Sequence, residues 1–214
     1  MELPVNLHDN HIVLLGNIVS KHNQIRYFAD GTAMLPLEVI TKRKWRDSQG
    51  TWQEHSNYFS VTLLGNDAEN AVANASAGQG IYVRAQIRQL QSQATTGKDT
   101  LQAQQVKLIP KSTAINWNQA HLVGTVVKHS ELVQTINGID LLTLELDVSN
   151  LDDKTIHTEV KLKGATAKYI ANQLSQENAP TIAMVEGALS GQSKKVGDSF
   201  NHQYWVEGHT CVLS

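Results

Sequence analysis

The chain states one ordered pattern twice, and that repeat restricts its fold more than any other feature. "HIVLLGNIVSK" returns as "AHLVGTVVKH", "YFADGTAMLPLEVI" as "TINGIDLLTLELDV", "NYFSVTLLG" as "HTEVKLKG", and "GIYVRAQI" as "TIAMVEGAL". Gly16, Gly31 and Gly65 have counterparts in Gly124, Gly138 and Gly164. Segments that recur in the same order, with glycines at matching places, point to a duplicated unit. At 214 residues, each copy has roughly 100, enough to bury a core of its own.

Within a copy the pattern is that of strands. Ile81, Val83, Ala85 and Ile87 alternate with Tyr82, Arg84, Gln86 and Arg88, which gives one apolar and one polar, cationic face. "HIVLLGNIVSK", "TAMLPLEVITK", "SNYFSVTLL" and "LQAQQVKLI" supply four more strands. Between the third and fourth lies "GNDAENAVANASAGQG", where Asn66 and Glu69 have capping-box spacing and Gly78 and Gly80 stop the helix. The second copy has "ATAKYIANQLSQ" at that place. Five strands with a helix between the third and fourth is the order of the OB-fold, a small Greek-key barrel. The expected class is all-β, two tandem OB-folds: residues 1–110, a linker at 111–118 ("PKSTAINWN" with its proline), and residues 119–214. A single larger β-sandwich is the rival arrangement.

Charge separates the copies. Cations and acids number 11 and 9 up to Thr113, then 7 and 11 beyond it, so a net charge of −2 hides halves of +2 and −4. The positive balance gathers in "TKRKWRDSQGTWQEH", Thr41 to His55, which joins the second and third strands and holds two of the four tryptophans. Exposed indoles offer a π-face to any base while Lys and Arg follow phosphates. A structural use is also open, with Trp45 packed on the barrel, Trp52 pinning the hairpin and the cations guarding an edge. The repeat supplies a control, because the second copy has "SNLDDKTIH" there, with Asp152 and Asp153 and no aromatic. Thr143, Glu145 and Asp147 likewise make its second strand neutral or acidic on the polar face. A fold that needed the indoles would need them twice.

The first copy resembles the bacterial single-stranded DNA-binding proteins over about residues 8 to 110. "HIVLLGNIVS", "IRYFADGTA", "KWRDSQGTWQEHSNYFSVTLLGNDAE" and "GQGIYVRAQI" are similar to that family's opening strand, its "RY…G" turn, its hairpin and third strand, and its fourth strand. The resemblance implies base stacking by Trp45 and Tyr58, and a binding unit of four OB-folds, hence a homodimer here. It departs from the family at Leu64, in place of a phenylalanine, and near Ser92, in place of a tryptophan. The family's acidic, phenylalanine-ended tip is absent from a chain that ends "EGHTCVLS", so its usual partner proteins are not expected.

The expected function is sequence-tolerant binding of single-stranded DNA, with RNA left open, and no catalysis. DNA would lie across Trp45, Trp52 and Tyr58, with Lys42, Arg43, Lys44, Arg46, Arg84, Arg88 and Lys98 on phosphates. The second copy is expected to serve assembly, with Lys161, Lys163, Lys168, Lys194 and Lys195 as its available cations. The alternative is an adaptor of the PriB type that docks replication or recombination proteins and binds nucleic acid weakly. His8 and His11 have a ligand-like spacing but no partner cluster for a metal. Cys211, close to His209 on a final strand, reads as a small buried hydrophobe. Trp117 is expected to pack from the linker, and Tyr204 and Trp205 to fill or cap the second barrel. No cofactor motif, export signal or long apolar run occurs, and a single cysteine suits a reducing cytoplasm.

Overall fold

Within the barrels, alternate residues of the long strands disappear from solvent, as period-two patterning requires. Leu35, Leu37, Val39, Phe59, Val61, Leu63, Ile81 and Val83 fill the first core, and Leu142, Leu144, Leu146, Val160, Leu162 and Val206 the second. The computed structural model describes residues 9–21, 24–47, 49–92, 95–149, 155–176, 179, 181–196 and 199–214.

The first copy comprises β1 (Asp9–Lys21), the short β2 (Arg26–Tyr27), β3 (Ala33–Arg46), β4 (Trp52–Leu64), α1 (Gly65–Asn74), β5 (Gly80–Ser92) and β6 (Thr95–Leu108). Its ladders run β3–β4, β4–β6, β6–β5, β5–β1 and β1–β3, which closes a barrel; only β4–β6 is parallel. The second copy comprises β7 (Trp117–His129), the short β8 (Val133–Gln134), β9 (Asp140–Ser149), β10 (Thr155–Lys163), α2 (Gly164–Leu174), β11 (Ile182–Val196) and β12 (Ser199–Leu213). Here β9–β10, β10–β12, β12–β11, β11–β7 and β7–β9 close in the same way, with the parallel pair again third against fifth long strand. Both are OB-folds.

The matched glycines keep matched jobs. β1 and β7 each bend so that one strand serves two ladders. A Cβ on Gly16 would lie 2.2 Å from the Ile40 carbonyl oxygen, and one on Gly124 2.6 Å from that of Asp147. Gly65 (φ 55°) and Gly164 (φ 61°) each turn the chain from strand into helix through the left-handed region. That entry overturns the capping box expected at Asn66 and Glu69. The cap position falls on Leu64, which has no side-chain acceptor, and α1 is held instead by burying Ala68 and Ala71.

By contact density the chain divides into two compact units: residues 12–118 with 191–203, and the rest of the described chain. The first barrel's unit thus includes the tip of the β11–β12 hairpin. Residues 111–116, expected as a linker, are tied along that barrel. Asn17 Nδ2 donates to the Thr113 carbonyl (2.9 Å), Thr113 N donates to Asn17 Oδ1 (2.8 Å), and Lys42 N donates to Asn116 Oδ1 (3.0 Å). Trp117 opens β7 with 54% of its surface exposed. Tyr204 is buried as expected, but Trp205 points to the other side of β12, where Lys161 Nζ sits 4.0 Å from its ring centre. Residues two apart share a face and neighbours do not, so only one of the two can enter the barrel core.

Candidate nucleic-acid interface

Thr41 to His55 is strand for most of its length. β3 and β4 stay paired beyond the barrel, from Lys42↔Ser56 to Arg46↔Trp52. Five pairs at strand rise make a two-stranded arm about 17 Å long. Asp47 closes its tip: Oδ1 accepts from Gln49 N (3.0 Å) and Thr51 N (2.9 Å), and Oδ2 accepts from Gln53 Nε2 (2.8 Å). Those hydrogen bonds hold the Asp47 carboxyl below its usual range, the Gln53 amide contributing most. Gly50 (φ 79°) supplies the left-handed residue that the turn needs.

Register decides which side chains share a face. Lys42, Lys44, Arg46, Trp52, Glu54, Ser56 and Tyr58 lie on the outer face, continuous with Ile40; Arg43, Trp45, Gln53 and His55 lie on the reverse, continuous with the core-facing Val39 and Thr41. The arm therefore brings Trp52 (63% exposed) and Tyr58 (54%) to one side and turns Trp45 (41%) to the other. Tyr58 lies six positions beyond Trp52, roughly 20 Å along the strand. Arg46 rests over the Trp52 ring, its guanidinium carbon 4.9 Å from the centroid.

Glu54, on this face, is not among the expected site residues. Its carboxylate takes Lys42 Nζ at 2.9 Å and Lys44 Nζ at 3.1 Å, so a single acid partners two of the four arm cations. The hydrogen bonds from Lys42 and Lys44 hold the Glu54 carboxyl below its ordinary range, and Glu54 in turn raises Lys42. Arg43, Arg46 and Arg84 have no ion-pair partner among the described residues. Recognising the tight turn at Asp47–Gly50 would have placed Glu54 opposite Lys44 from sequence.

The remaining predicted cations stand on β5 and β6. Arg84 is exposed and pairs with Val13, while Arg88 is half-buried and donates to Gln86 Oε1 at 3.4 Å. Lys98 lies opposite Leu90; its side chain is outside the described part. Ladder directions put Arg84 and Arg88 on the same side of the Tyr58–Ile40–Asn17–Gly80 row as the arm.

The second barrel is arranged differently. Lys128, Lys161, Lys163 and Lys168 each lie within 3.7 Å of a carboxylate, on Glu145, Glu159, Glu207 and Asp140. Asp152 and Asp153 fall outside the described residues, as do the side chains of Lys194 and Lys195. Cys211 is buried, and desolvation pushes its thiol up to about 11, which suits a packed hydrophobe better than a nucleophile. Among the described residues, no group of three or more His, Cys, Asp or Glu is placed to hold a metal; His8 lies outside them, and the His11 ring is 6.4 Å from that of His121. No helix among those residues is long and apolar enough to cross a membrane.

Two closed five-stranded barrels in one chain, the first extended by a basic, aromatic arm, define a tandem OB-fold protein. Residues 9–109 match the model of the single-strand binding protein family. The whole chain is similar in fold to the single-stranded DNA binding protein from Thermus aquaticus. A deletion mutant of that protein superposes with a TM-score of 0.79 at 23% identity, over 97% of this chain and 95% of the other. The wild-type form gives 0.76 at 22%, over 97% and 93%. The protein PriB from Ralstonia solanacearum covers 47% of this chain at a TM-score of 0.36, too loose a likeness to weigh.

Proposed function

We propose that this protein binds single-stranded DNA with little regard to sequence and without making or breaking bonds, protecting the strand during replication, recombination or repair. The observation that carries the reading is the outer face of the arm, where Lys42, Lys44, Arg46, Trp52 and Tyr58 line one side of a projecting ribbon. Stacking is worth on the order of 1–3 kcal/mol per base and is blind to sequence, while phosphate contacts release counterions. Trp52 and Tyr58 are the stacking platforms of this reading, and Arg46, Arg84, Arg88 and Lys98 meet phosphates alongside the arm lysines. Trp45 and Arg43, on the reverse face, engage a strand that wraps the arm's edge. The match of residues 9–109 to the single-strand binding protein family supports the same reading. The active form is a homodimer in the cytoplasm that gathers four OB-folds, with the acid-paired second barrel given to assembly.

Intrinsic tryptophan fluorescence, followed during titration with oligo-dT at two salt concentrations, tests the reading. Quenching that weakens with salt is expected, because indoles would meet bases and cations would meet phosphates. Absence of binding at low salt would overturn it. One observation favours the adaptor reading instead: Glu54 already engages two of the arm's four cations and offsets one of their charges. An adaptor would show a shallow salt slope in the same titration.

A further inference from the structure

Beside the root of the arm, the first unit carries a cleft of about 330 Å³ whose walls include Glu38, His55, Tyr58, Ser60, Ser193 and His202. Tyr58 and Ser60 share the outer face of β4, and Glu38 pairs with Ser60 across the β3–β4 ladder. The half-exposed Tyr58 and Glu38 thus line the same cleft from one face of the β3–β4 ladder. Ser193 and His202, from the hairpin tip, face them as a hydrogen-bonded pair 2.8 Å apart. His55 is fixed by Asn57, at 3.1 Å.

The chemistry of Glu38 decides what this cleft accepts. Ser20 Oγ donates to Glu38 Oε2 at 2.6 Å and orients the carboxylate, while Oε1 has no partner among the described residues. An ionised carboxylate only accepts hydrogen bonds. A phosphate is therefore repelled and a ligand edge that donates is preferred. The volume sits at the low end of the roughly 300–1,000 Å³ typical of small-ligand pockets. It suits one planar group rather than a stretch of backbone.

We propose that the cleft is a subsite for a single nucleobase, stacked on Tyr58, whose exocyclic amino group donates to Glu38. The inference rests on the single-stranded DNA reading above and adds to it a local preference at one position of an otherwise indifferent strand. Cytosine, adenine and guanine carry such an amino group; in uracil the one ring N–H lies between two carbonyls whose oxygens would face the same carboxylate.

Oligo-dC and oligo-dU of equal length, titrated at mildly alkaline pH where cytosine is unprotonated, separate the outcomes. A charge-assisted hydrogen bond should favour oligo-dC by roughly tenfold. Glu38→Gln should bring the ratio close to one, because an amide can donate as well as accept. Loss of a charge would raise affinity for both strands alike, so the ratio is the readout. A wild-type ratio near one, or a preference that survives Glu38→Gln, would overturn the subsite while leaving general binding intact. Failure of both oligonucleotides and of oligo-dT to bind at low salt would remove the general reading, and the subsite with it.

Discussion

The β3–β4 arm and its counterpart β9–β10 occupy the same place in the strand order of their barrels and differ in length. β3 and β4 are 14 and 13 residues long, and β9 and β10 are 10 and 9. In the first, the surplus length carries two indoles and four cations, two of which share one carboxylate. In the second, the described ladder runs from Leu141↔Lys163 to Ser149↔Thr155, with Asp147 against His157 and Glu145 against Lys128. The barrels need the same bent first strand, the same glycine-entered helix and the same parallel closure. They do not need the same hairpin. A duplicated fold keeps what its core demands and is free to vary what projects beyond it.

The largest test of this contrast removes the outer aromatics. Trp52→Ala with Tyr58→Ala should cost about 2–6 kcal/mol of oligo-dT affinity, from two stacking platforms, measured by fluorescence anisotropy. Trp205→Ala, which strips an indole that Lys161 covers in the second barrel, should leave affinity unchanged. Equal losses from the two proteins would erase the asymmetry.

A smaller effect is expected where the folds are alike. Gly16→Ala and Gly124→Ala each push a methyl against a facing carbonyl, and overpacking of this kind costs about 1–3 kcal/mol, read by denaturant unfolding. Gly16 has the closer approach, 2.2 against 2.6 Å, and should be the more sensitive. Destabilisation of only one barrel would mean that the shared bend is not a shared requirement.

The smallest effect concerns Glu54. Glu54→Gln frees Lys42 and Lys44, so binding should tighten by a few-fold and fall more steeply with salt. Acidification should act in the same direction on the wild type. Because the lysines lower the Glu54 pKa, its ion pairs are intact at neutral pH and are lost only as pH falls through that lowered value. The variant should lack this step; unchanged affinity and slope would show that the pairing has no bearing on binding.

Much of the fold was legible because it is written in local periodicity. Alternation along Ile81 to Arg88 marks its strand without reference to any other segment. Glycine pairs such as Gly16 and Gly124 record a backbone approach that no side chain tolerates. The helix start was misplaced because a left-handed glycine replaced the side-chain cap that the spacing of Asn66 and Glu69 suggested. In the candidate site, residue types were legible and their faces were not. Trp45 and Trp52 look equivalent in "KWRDSQGTWQEH", yet the five residues of turn that separate the strands at Asp47–Thr51 set the register that turns them apart.

The sequence alone therefore determined that the chain holds two like barrels and that the first concentrates its aromatics and cations in one hairpin, because duplication, patterning and charge are properties of the linear chain. Only the tertiary structure decided that Trp52 and Tyr58 share a face without Trp45, that Glu54 holds two lysines, and that the tip of a hairpin more than 100 residues away belongs to the first unit and walls a cleft with Glu38 and Tyr58. Those relations depend on cross-strand register and on long-range packing, which no single stretch of sequence contains.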